Sequence, residues 1–189
     1  MAFDGASACG EALAVGQRLS ALTNPRGEAN DDEHWMRQAI SLAARAESED
    51  EVPVGAVVVH EGRLVGEGWN RTITLNDPSA HAEILALRAA GQALGNYRLP
   101  GAVLYVTLEP CCMCVGAMIH ARVKRLVFAA ADPKTGAVDG RFSLLGDAGH
   151  NHRIEVAAGC LQPECSTQLQ SFFQRRRQEQ ARPASPPSG

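Results

Sequence analysis

The chain has 189 residues, 45% of them hydrophobic, and a formal net charge of −3. This length fits one domain with tails, and the slightly acidic balance excludes a generic nucleic-acid binder with a basic surface throughout. Residues 1–33 hold six acids and two arginines, while basic residues cluster locally at 122–125 and 175–177. Because no apolar run approaches the roughly 18 residues of a membrane helix and no signal-peptide pattern opens the chain, we expect a cytoplasmic protein without a membrane partner.

Three regions differ in composition. Residues 1–30 are rich in alanine, glycine and small polar residues, which predicts a disordered N-terminal extension, with a weak helix over 11–22 as the alternative. Residues 31–182 carry the periodic hydrophobic patterns of one folded domain. Residues 183–189 have the composition of a flexible Pro/Ser tail.

The folded region alternates strand and helix patterns, which predicts an α/β fold, a three-layer α/β/α arrangement with a mixed sheet of about five strands. A helix is expected to start with Asp31 or Asp32 as its cap and to end near residue 46, followed by an acidic connector at 47–51. The remaining predicted elements are strands at 52–59 and 64–69 joined by a turn at Glu61-Gly62, a helix from His81 to Gly91 or Gly95, strand 103–107, helix 112–120, strand 125–130, a long Gly-rich loop at 132–151, strand 153–158 and helix 164–180.

Two cysteines mark the most informative stretch of the chain. Cys111 and Cys114 follow Pro110, which suits a helix start, and the spacing of three residues brings them to one helix face. A short helix between two strands indicates a parallel strand pair, and open sheets bind ligands beyond the carboxyl ends of such strands. A thiolate near a helix N-terminus is also stabilised by the helix dipole.

The upstream segment His81-Ala82-Glu83 supplies the groups that the cysteine pair lacks. Catalytic Zn²⁺ sites use three protein ligands and a water, so His81 is the natural third ligand. Glu83 lies two residues after His81 and reaches the same site only if His81 sits at the non-helical entrance of its helix. A redox pair, a structural zinc half-site and core packing are the alternatives for the cysteines; Cys9, Cys160 and Cys165 are interpreted as ordinary thiols.

The combination His-x-Glu…Pro-Cys-x-x-Cys is the established signature of zinc nucleobase deaminases. Beyond this signature, the chain from about 34 to 180 resembles the cytidine-deaminase-like superfamily, and within it the bacterial tRNA-specific adenosine deaminases. The similarity extends over several blocks in order: Val52-Pro53-Val54-Gly55-Ala56-Val57, Gly66-Glu67-Gly68-Trp69-Asn70-Arg71, Asp77-Pro78-Ser79-Ala80-His81-Ala82-Glu83, Asn96-Tyr97-Arg98-Leu99, the zinc segment through His120, Asp132-Pro133-Lys134-Thr135-Gly136, Asn151-His152-Arg153 and Phe172-Phe173.

The resemblance implies a zinc-dependent deaminase domain over 31–182. Its expected reaction is hydrolytic deamination of adenosine to inosine at the wobble position of a tRNA anticodon stem-loop, by a homodimer with one Zn²⁺ per subunit. His81, Cys111 and Cys114 carry over as zinc ligands and Glu83 as the proton shuttle. The alternatives are a deaminase of free guanine, cytosine or a nucleotide of the dCMP type, and a non-catalytic zinc-stabilised binding module.

The same resemblance assigns substrate contacts, each with a structural alternative. Asn70 lies where the family holds the target nucleoside, or it is a turn residue. Five residues of the later loops, named at the end of this paragraph, fall in segments that in the family touch the anticodon loop. Each of them is alternatively an ordinary loop residue or a helix cap. Phe173, with Phe172, is a base platform or core, and the nearby arginine run is typical of a solvated face. Two departures from the family are the absence of an arginine before Asp132 and the unusual stretch 138–150. The loop candidates are Asp132, Lys134, Asn151, His152 and Arg153.

Overall fold

The computed structural model describes residues 28–146 and 149–181, with side chains from residue 31 onward. The predictions made for the N-terminal extension, for Cys9 and for the tail at 183–189 fall outside these residues. None of the helices in the described part is long and apolar enough to cross a membrane.

Helices and strands alternate along this part of the chain, as the sequence predicts. Most ends lie within three residues of the predicted positions. The elements are α1 (Glu28–Ser48), β1 (Gly55–His60), β2 (Arg63–Trp69), α2 (Ala82–Leu94), β3 (Val103–Leu108), α3 (Cys112–Ala121), β4 (Arg125–Ala130), β5 (Glu155–Ala158) and α4 (Gln162–Ala181).

The strands form one mixed sheet in the order β2-β1-β3-β4-β5. Strand β1 pairs antiparallel with β2 and β3, whereas β3, β4 and β5 run parallel. The short connection through α3 therefore joins a parallel pair, which confirms the predicted arrangement. It also places the segment after β3 at the carboxyl end of the parallel strands.

The three interior strands β1, β3 and β4 are buried on both faces of the sheet. Val58 packs in a core with side chains of α2 and α3, while its neighbours Val57 and Val59 pack in a second core with side chains of α1 and α4. Successive residues of a strand point to opposite faces, so β1 has helices on both sides. The three-layer α/β/α prediction is confirmed.

Two glycines of β2 bring the edge of the sheet against α2. A Cβ atom at Gly66 or Gly68 would collide with the backbone of α2 at Ala86 or Ala82. The close approach holds the start of α2 beside the end of β2. It thereby brings Asn70, just after β2, next to the first turn of that helix.

The predicted capping role of Asp31 or Asp32 is wrong, because α1 already begins at Glu28. The carboxylate of Asp32 instead accepts two hydrogen bonds from the Arg125 guanidinium, at 2.8 and 2.7 Å, and one from the Tyr105 hydroxyl at 2.9 Å. Burial and the charge of Asp32 raise the pKa of Tyr105. The carboxylate of Asp32 thus links α1 to β3 through Tyr105 and to β4 through Arg125.

The acidic connector also has a structural role that composition did not predict. Glu51 is almost fully buried and accepts hydrogen bonds from the Thr74 N–H and the Thr72 hydroxyl, at 2.7 and 3.2 Å. The Trp69 indole donates to Glu49 at 3.1 Å, and this bond lowers the pKa of Glu49. The connector therefore holds the loop at 70–80, which leads into the metal centre.

Candidate metal centre

Two helix N-termini meet at the predicted site. His81 is the N-cap of α2, with φ −73° and ψ 151°, and Cys111 is the N-cap of α3, with φ −77° and ψ 174°. Both residues are extended, so their side chains project from the helix entrances. His81 therefore meets the condition set by the sequence, and Glu83 follows in the first turn of α2.

The prediction that Cys111 and Cys114 share one face of a regular helix is met only in part. Cys111 is the N-cap of α3, preceded by Pro110, and only Cys114 lies within the helix. The pair still converges, since side chains at the cap and three residues later approach each other at a helix start. Cys112, between the two donors in sequence, is exposed. The five cysteines in the described part of the chain are free.

The three donor atoms form a nearly equilateral triangle. The His81 Nδ1 lies 3.7 Å from the Cys111 Sγ and 3.6 Å from the Cys114 Sγ, and the two sulfurs are 3.7 Å apart. Tetrahedral coordination with Zn–S of about 2.3 Å and Zn–N of about 2.0–2.1 Å gives edges of about 3.8 Å and 3.6 Å. The donor set and its spacing therefore fit zinc.

The electrostatics of the triangle favour a cation at its centre. Hydrogen bonding with Cys114 and His81 lowers the pKa of the Cys111 thiol to about 3. The same contact with Cys111, together with burial and the charge of Glu83, raises the pKa of Cys114. Two thiolates and a neutral imidazole balance the charge of a Zn²⁺ ion.

Glu83 is the buried acid of the centre. Only 4% of its surface is exposed, and burial raises the pKa of its carboxyl group above the ordinary value. The group interacts with the Cys114 thiol and with the charge of His81. A carboxyl group in this setting accepts and releases protons at a higher pH than an exposed one.

The number of donors separates a catalytic from a structural zinc site. Within the described residues, the donor group consists of His81, Cys111 and Cys114. A structural zinc site has four protein ligands, and a catalytic one leaves a position for water. The geometry is that of a three-ligand, open site.

Asn70 lies beside this triangle. Its Oδ1 accepts a hydrogen bond of 3.0 Å from the Ala82 N–H. This N–H belongs to the first turn of α2, where main-chain donors have no partner within the helix. The bond orients the Asn70 amide next to His81. The structural role as a turn residue and the proposed substrate role are thus compatible, because the amide NH₂ group remains available as a donor.

The carboxylate of Asp132 is used within its own loop. It accepts hydrogen bonds from the Lys134 N–H, the Thr135 N–H and the Thr135 hydroxyl, at 2.8, 3.2 and 2.6 Å. These bonds lower the pKa of Asp132. Lys134 is exposed and lines a groove with Phe173 and Arg177 of α4, which we name the basic groove.

The segment 151–153 packs against the end of α3. The Arg122 guanidinium donates to the Asn151 side chain at 2.8 Å and to its carbonyl at 3.1 Å. The His152 Nε2 lies 2.7 Å from the Val123 carbonyl oxygen. Asn151 and Arg153 are exposed and His152 is half-buried, so the segment presents a polar surface held by Arg122.

The two phenylalanines of α4 have different environments. Phe172 is 3% exposed, whereas Phe173 is 44% exposed and lines the basic groove. Arg175 forms an ion pair with Glu47 at 2.8 Å. Phe172 therefore belongs to the core and Phe173 to the surface. Because Arg175 is paired with Glu47, only part of the arginine run is a freely solvated face.

Sequence reasoning overlooked Glu109, which directly precedes Pro110. Its carboxylate is 3% exposed and accepts four main-chain hydrogen bonds from the loop that contains Lys134. A charged residue at the end of a buried strand, just before a metal ligand, was the available signal. The bonding itself depends on a loop more than twenty residues away.

The fold and this site define a zinc-dependent deaminase class, and comparisons with known proteins agree. Residues 29–130 match the model of the cytidine and deoxycytidylate deaminase zinc-binding region. The chain is 54% identical over 149 residues to a tRNA-specific adenosine deaminase of Haemophilus influenzae, covering 78% of this chain and 86% of that protein.

Two solved structures share the fold. One, from studies of A-to-I editing by tRNA:A34 deaminases at the wobble position, has a TM-score of 0.70 at 46% identity and covers 72% of this chain and 99% of that one. A guanine deaminase from Nitrosomonas europaea has a TM-score of 0.61 at 28% identity, covering 74% and 83%. This chain belongs to the cytidine and deoxycytidylate deaminase zinc-binding family, among the relatives of the tRNA-specific adenosine deaminases.

Proposed function

We propose that this chain is a zinc-dependent hydrolase that converts adenosine to inosine at the wobble position of a tRNA anticodon. The observation that carries the chemistry is the buried carboxyl group of Glu83 beside a triangle of three zinc donors. A zinc ion bound only for stability has no use for that carboxyl group. The choice of substrate is supported by the tRNA-specific relative and by the tRNA:A34 structure.

We assign His81, Cys111 and Cys114 as the zinc ligands and Glu83 as the proton shuttle. When bound, zinc supplies a Lewis acid that lowers the pKa of a water molecule. Glu83 takes a proton from the water that adds to C6 and passes it to the adjacent ring nitrogen. It then moves the remaining hydroxyl proton at C6 to the amino group, so that the C6–N bond breaks, the C6 carbonyl forms and ammonia leaves. Burial raises the pKa of the Glu83 carboxyl group above its ordinary value.

Asn70 is proposed to orient the nucleoside. Its carbonyl oxygen is held by the start of α2, so the NH₂ group has a defined position from which to donate to the substrate. The groove side chains Lys134, Phe173 and Arg177 combine positive charge with an exposed ring, the pair of features that binds single-stranded nucleic acid. Asp132, Asn151, His152 and Arg153 complete the proposed contact with the anticodon loop.

A homodimer remains part of this proposal, on the strength of the family resemblance. Ile73 and Leu75 in the loop at 70–80 are 61% and 44% exposed and are candidates for the surface that a partner subunit would cover. Light scattering after size-exclusion chromatography measures the mass directly; a monomer at micromolar concentration would contradict the dimer. A tRNA substrate is also the reason for proposing a cytoplasmic location.

The test is a direct comparison of substrates. The zinc-loaded protein is incubated with an anticodon stem-loop that has adenosine at the wobble position, and with free guanine, cytosine and dCMP. Inosine in the RNA and released ammonia are measured, with a stem-loop carrying guanosine at that position as control. Turnover of a free base or nucleotide with the stem-loop untouched would favour the alternative, for which the guanine deaminase likeness is the supporting observation.

A further inference from the structure

Glu109 is a buried acid that the proposed reaction does not use. It follows β3, and its N–H continues the sheet by donating to the Ala130 carbonyl at 2.8 Å. Its side chain is 3% exposed. A buried carboxylate is costly unless its oxygens accept hydrogen bonds, so its partners indicate its role.

The carboxylate binds both ends of one loop. The Oε2 atom accepts from the Asp132 N–H at 2.9 Å, and the Oε1 atom accepts from the N–H groups of Val138, Asp139 and Gly140, at 3.0, 2.9 and 2.8 Å. Converging main-chain N–H groups form an anion-binding concavity. Here the anion belongs to the protein, and it closes residues 132–140 into a fixed loop.

The fit between the loop and Glu109 leaves no spare space. A Cβ atom at Gly136 would collide with the Glu109 carboxyl group and with the Asp132 carbonyl, and one at Gly140 would meet the same two groups. The loop backbone therefore lies directly on the carboxylate. This packing is an observation independent of the hydrogen bonds.

The residues that follow Glu109 hold the same loop. The Ala137 N–H donates to the Pro110 carbonyl at 2.9 Å, and Cys111 forms an isolated β-bridge with Gly136. Three consecutive residues, the last of them a zinc donor, thus contact one loop. The loop position is therefore coupled to the position of the metal centre.

We propose that Glu109 is a positioning residue that sets the distance between the metal centre and the RNA-contacting loop. The loop carries Lys134, which lines the basic groove. Holding residues 132–140 against the segment from Glu109 to Cys111 keeps that groove in register with the adenosine at the zinc site. This inference rests on the proposed function, because it assumes that the groove binds the anticodon loop.

The test uses Glu109→Gln in the zinc-loaded protein. The amide oxygen keeps the three bonds at Oε1, but the NH₂ group faces the Asp132 N–H, so the loop is released at that end. We expect unchanged zinc content, faster hydrogen exchange at residues 132–140, and a KM for the stem-loop raised roughly tenfold with kcat within about threefold. Glu109→Asp retains the charge but is one methylene shorter, and we expect an intermediate KM.

Asp32→Asn is the matched control. It also removes one charge from a buried carboxylate, but on the far face of the sheet at Arg125, so it lowers stability without changing KM. Lys134→Ala provides a double-mutant cycle with Glu109→Gln. If Glu109 acts through the loop, the combined rise in KM is smaller than the product of the single rises.

Each outcome is decisive. A raised KM with local loop exchange and a non-additive cycle supports the proposal. Faster hydrogen exchange at residues 132–140 in Glu109→Gln with an unchanged KM overturns the proposal, and so does a change in KM equal to that of Asp32→Asn. If Glu109→Gln does not fold, Gly140→Ala, whose Cβ displaces the loop from the carboxylate, takes its place with the same expected KM. Failure of the unmodified protein to deaminate the stem-loop overturns the proposed function instead, while the exchange data still report the loop.

Discussion

The metal centre and the basic groove differ in how far apart along the chain their parts lie. Each half of the metal centre is a segment of three or four residues at a helix entrance, 81–83 and 111–114. The groove joins Lys134 on a loop to side chains of α4 about forty residues later. Local backbone geometry positions the residues of the metal centre. The basic groove instead depends on a loop that is bonded to the carboxylate of Glu109, more than twenty residues earlier in the chain.

This difference separates chemistry from recognition. A helix N-cap orients its side chain through the hydrogen bonds of the helix itself, so the zinc donors converge once the two helices are in place. Lys134 of the groove lies in the loop whose N–H groups at Asp132 and Gly140 donate to Glu109. We expect changes at the metal centre to affect turnover and changes at the groove to affect substrate binding.

The largest expected effect is that of Glu83→Gln on turnover. Glutamine keeps the volume of the side chain but does not accept a proton, so kcat falls roughly 10²- to 10⁴-fold while zinc content is unchanged. Inosine formation and elemental analysis measure the two quantities. More than a tenth of the original activity in this variant would show that another group moves the proton.

The next effect in size is the loss of zinc in Cys114→Ala. Cys114 is fully buried, and removing one of three ligands weakens zinc binding by more than roughly 100-fold and lowers the melting temperature, because metal binding and folding are coupled. Cys112→Ala, at the exposed neighbouring thiol, is the control and retains both. Stoichiometric zinc in Cys114→Ala after dialysis against a chelator would contradict the ligand set.

The groove variants are expected to act on binding. Phe173→Ala removes an exposed ring, and base stacking of about 1–3 kcal/mol predicts a KM for the stem-loop raised roughly 5- to 150-fold with little change in kcat.

Lys134→Ala weakens binding and lowers the salt dependence of binding by about one phosphate contact. Arg176→Ala, at a surface ion pair with Glu179, serves as control. Unchanged KM values for both groove variants would show that the RNA binds elsewhere.

The smallest functional effect is expected from alkylation of the remaining thiols. Burial raises the pKa of Cys160 to about 11 and that of Cys165 to about 12. Below these values only a small thiolate fraction exists, which grows about tenfold per pH unit, so labelling is slow at pH 8 and rises with pH. In the zinc-loaded protein, peptide mass spectrometry after iodoacetamide treatment is expected to find Cys112 labelled before Cys160 and Cys165, with activity retained. Early labelling of Cys165 would contradict its burial.

Parts of the fold and site were predictable because they depend on near neighbours in sequence. The His81 entrance, the C-terminal glycine of α2 and the parallel β3–β4 pair follow from short patterns. The prediction for Asp32 failed because α1 begins at Glu28, so that Asp32 lies within the helix and its carboxylate pairs with Arg125, 93 residues away. Capping rules consider only the adjacent turn, and a distant guanidinium offered a stronger pairing.

The amino-acid sequence by itself determined the candidate zinc-donor set and the acid proposed to transfer protons beside it, since each lies in a short segment whose residue types and spacing indicate the chemistry. Only the tertiary structure decided which other acids are structural anchors. Glu109 bonds to N–H groups 23 to 31 residues further along the chain, and main-chain N–H groups carry no residue-specific signal. Long-range bonds of this kind arise from the packing of whole elements, which no local pattern encodes.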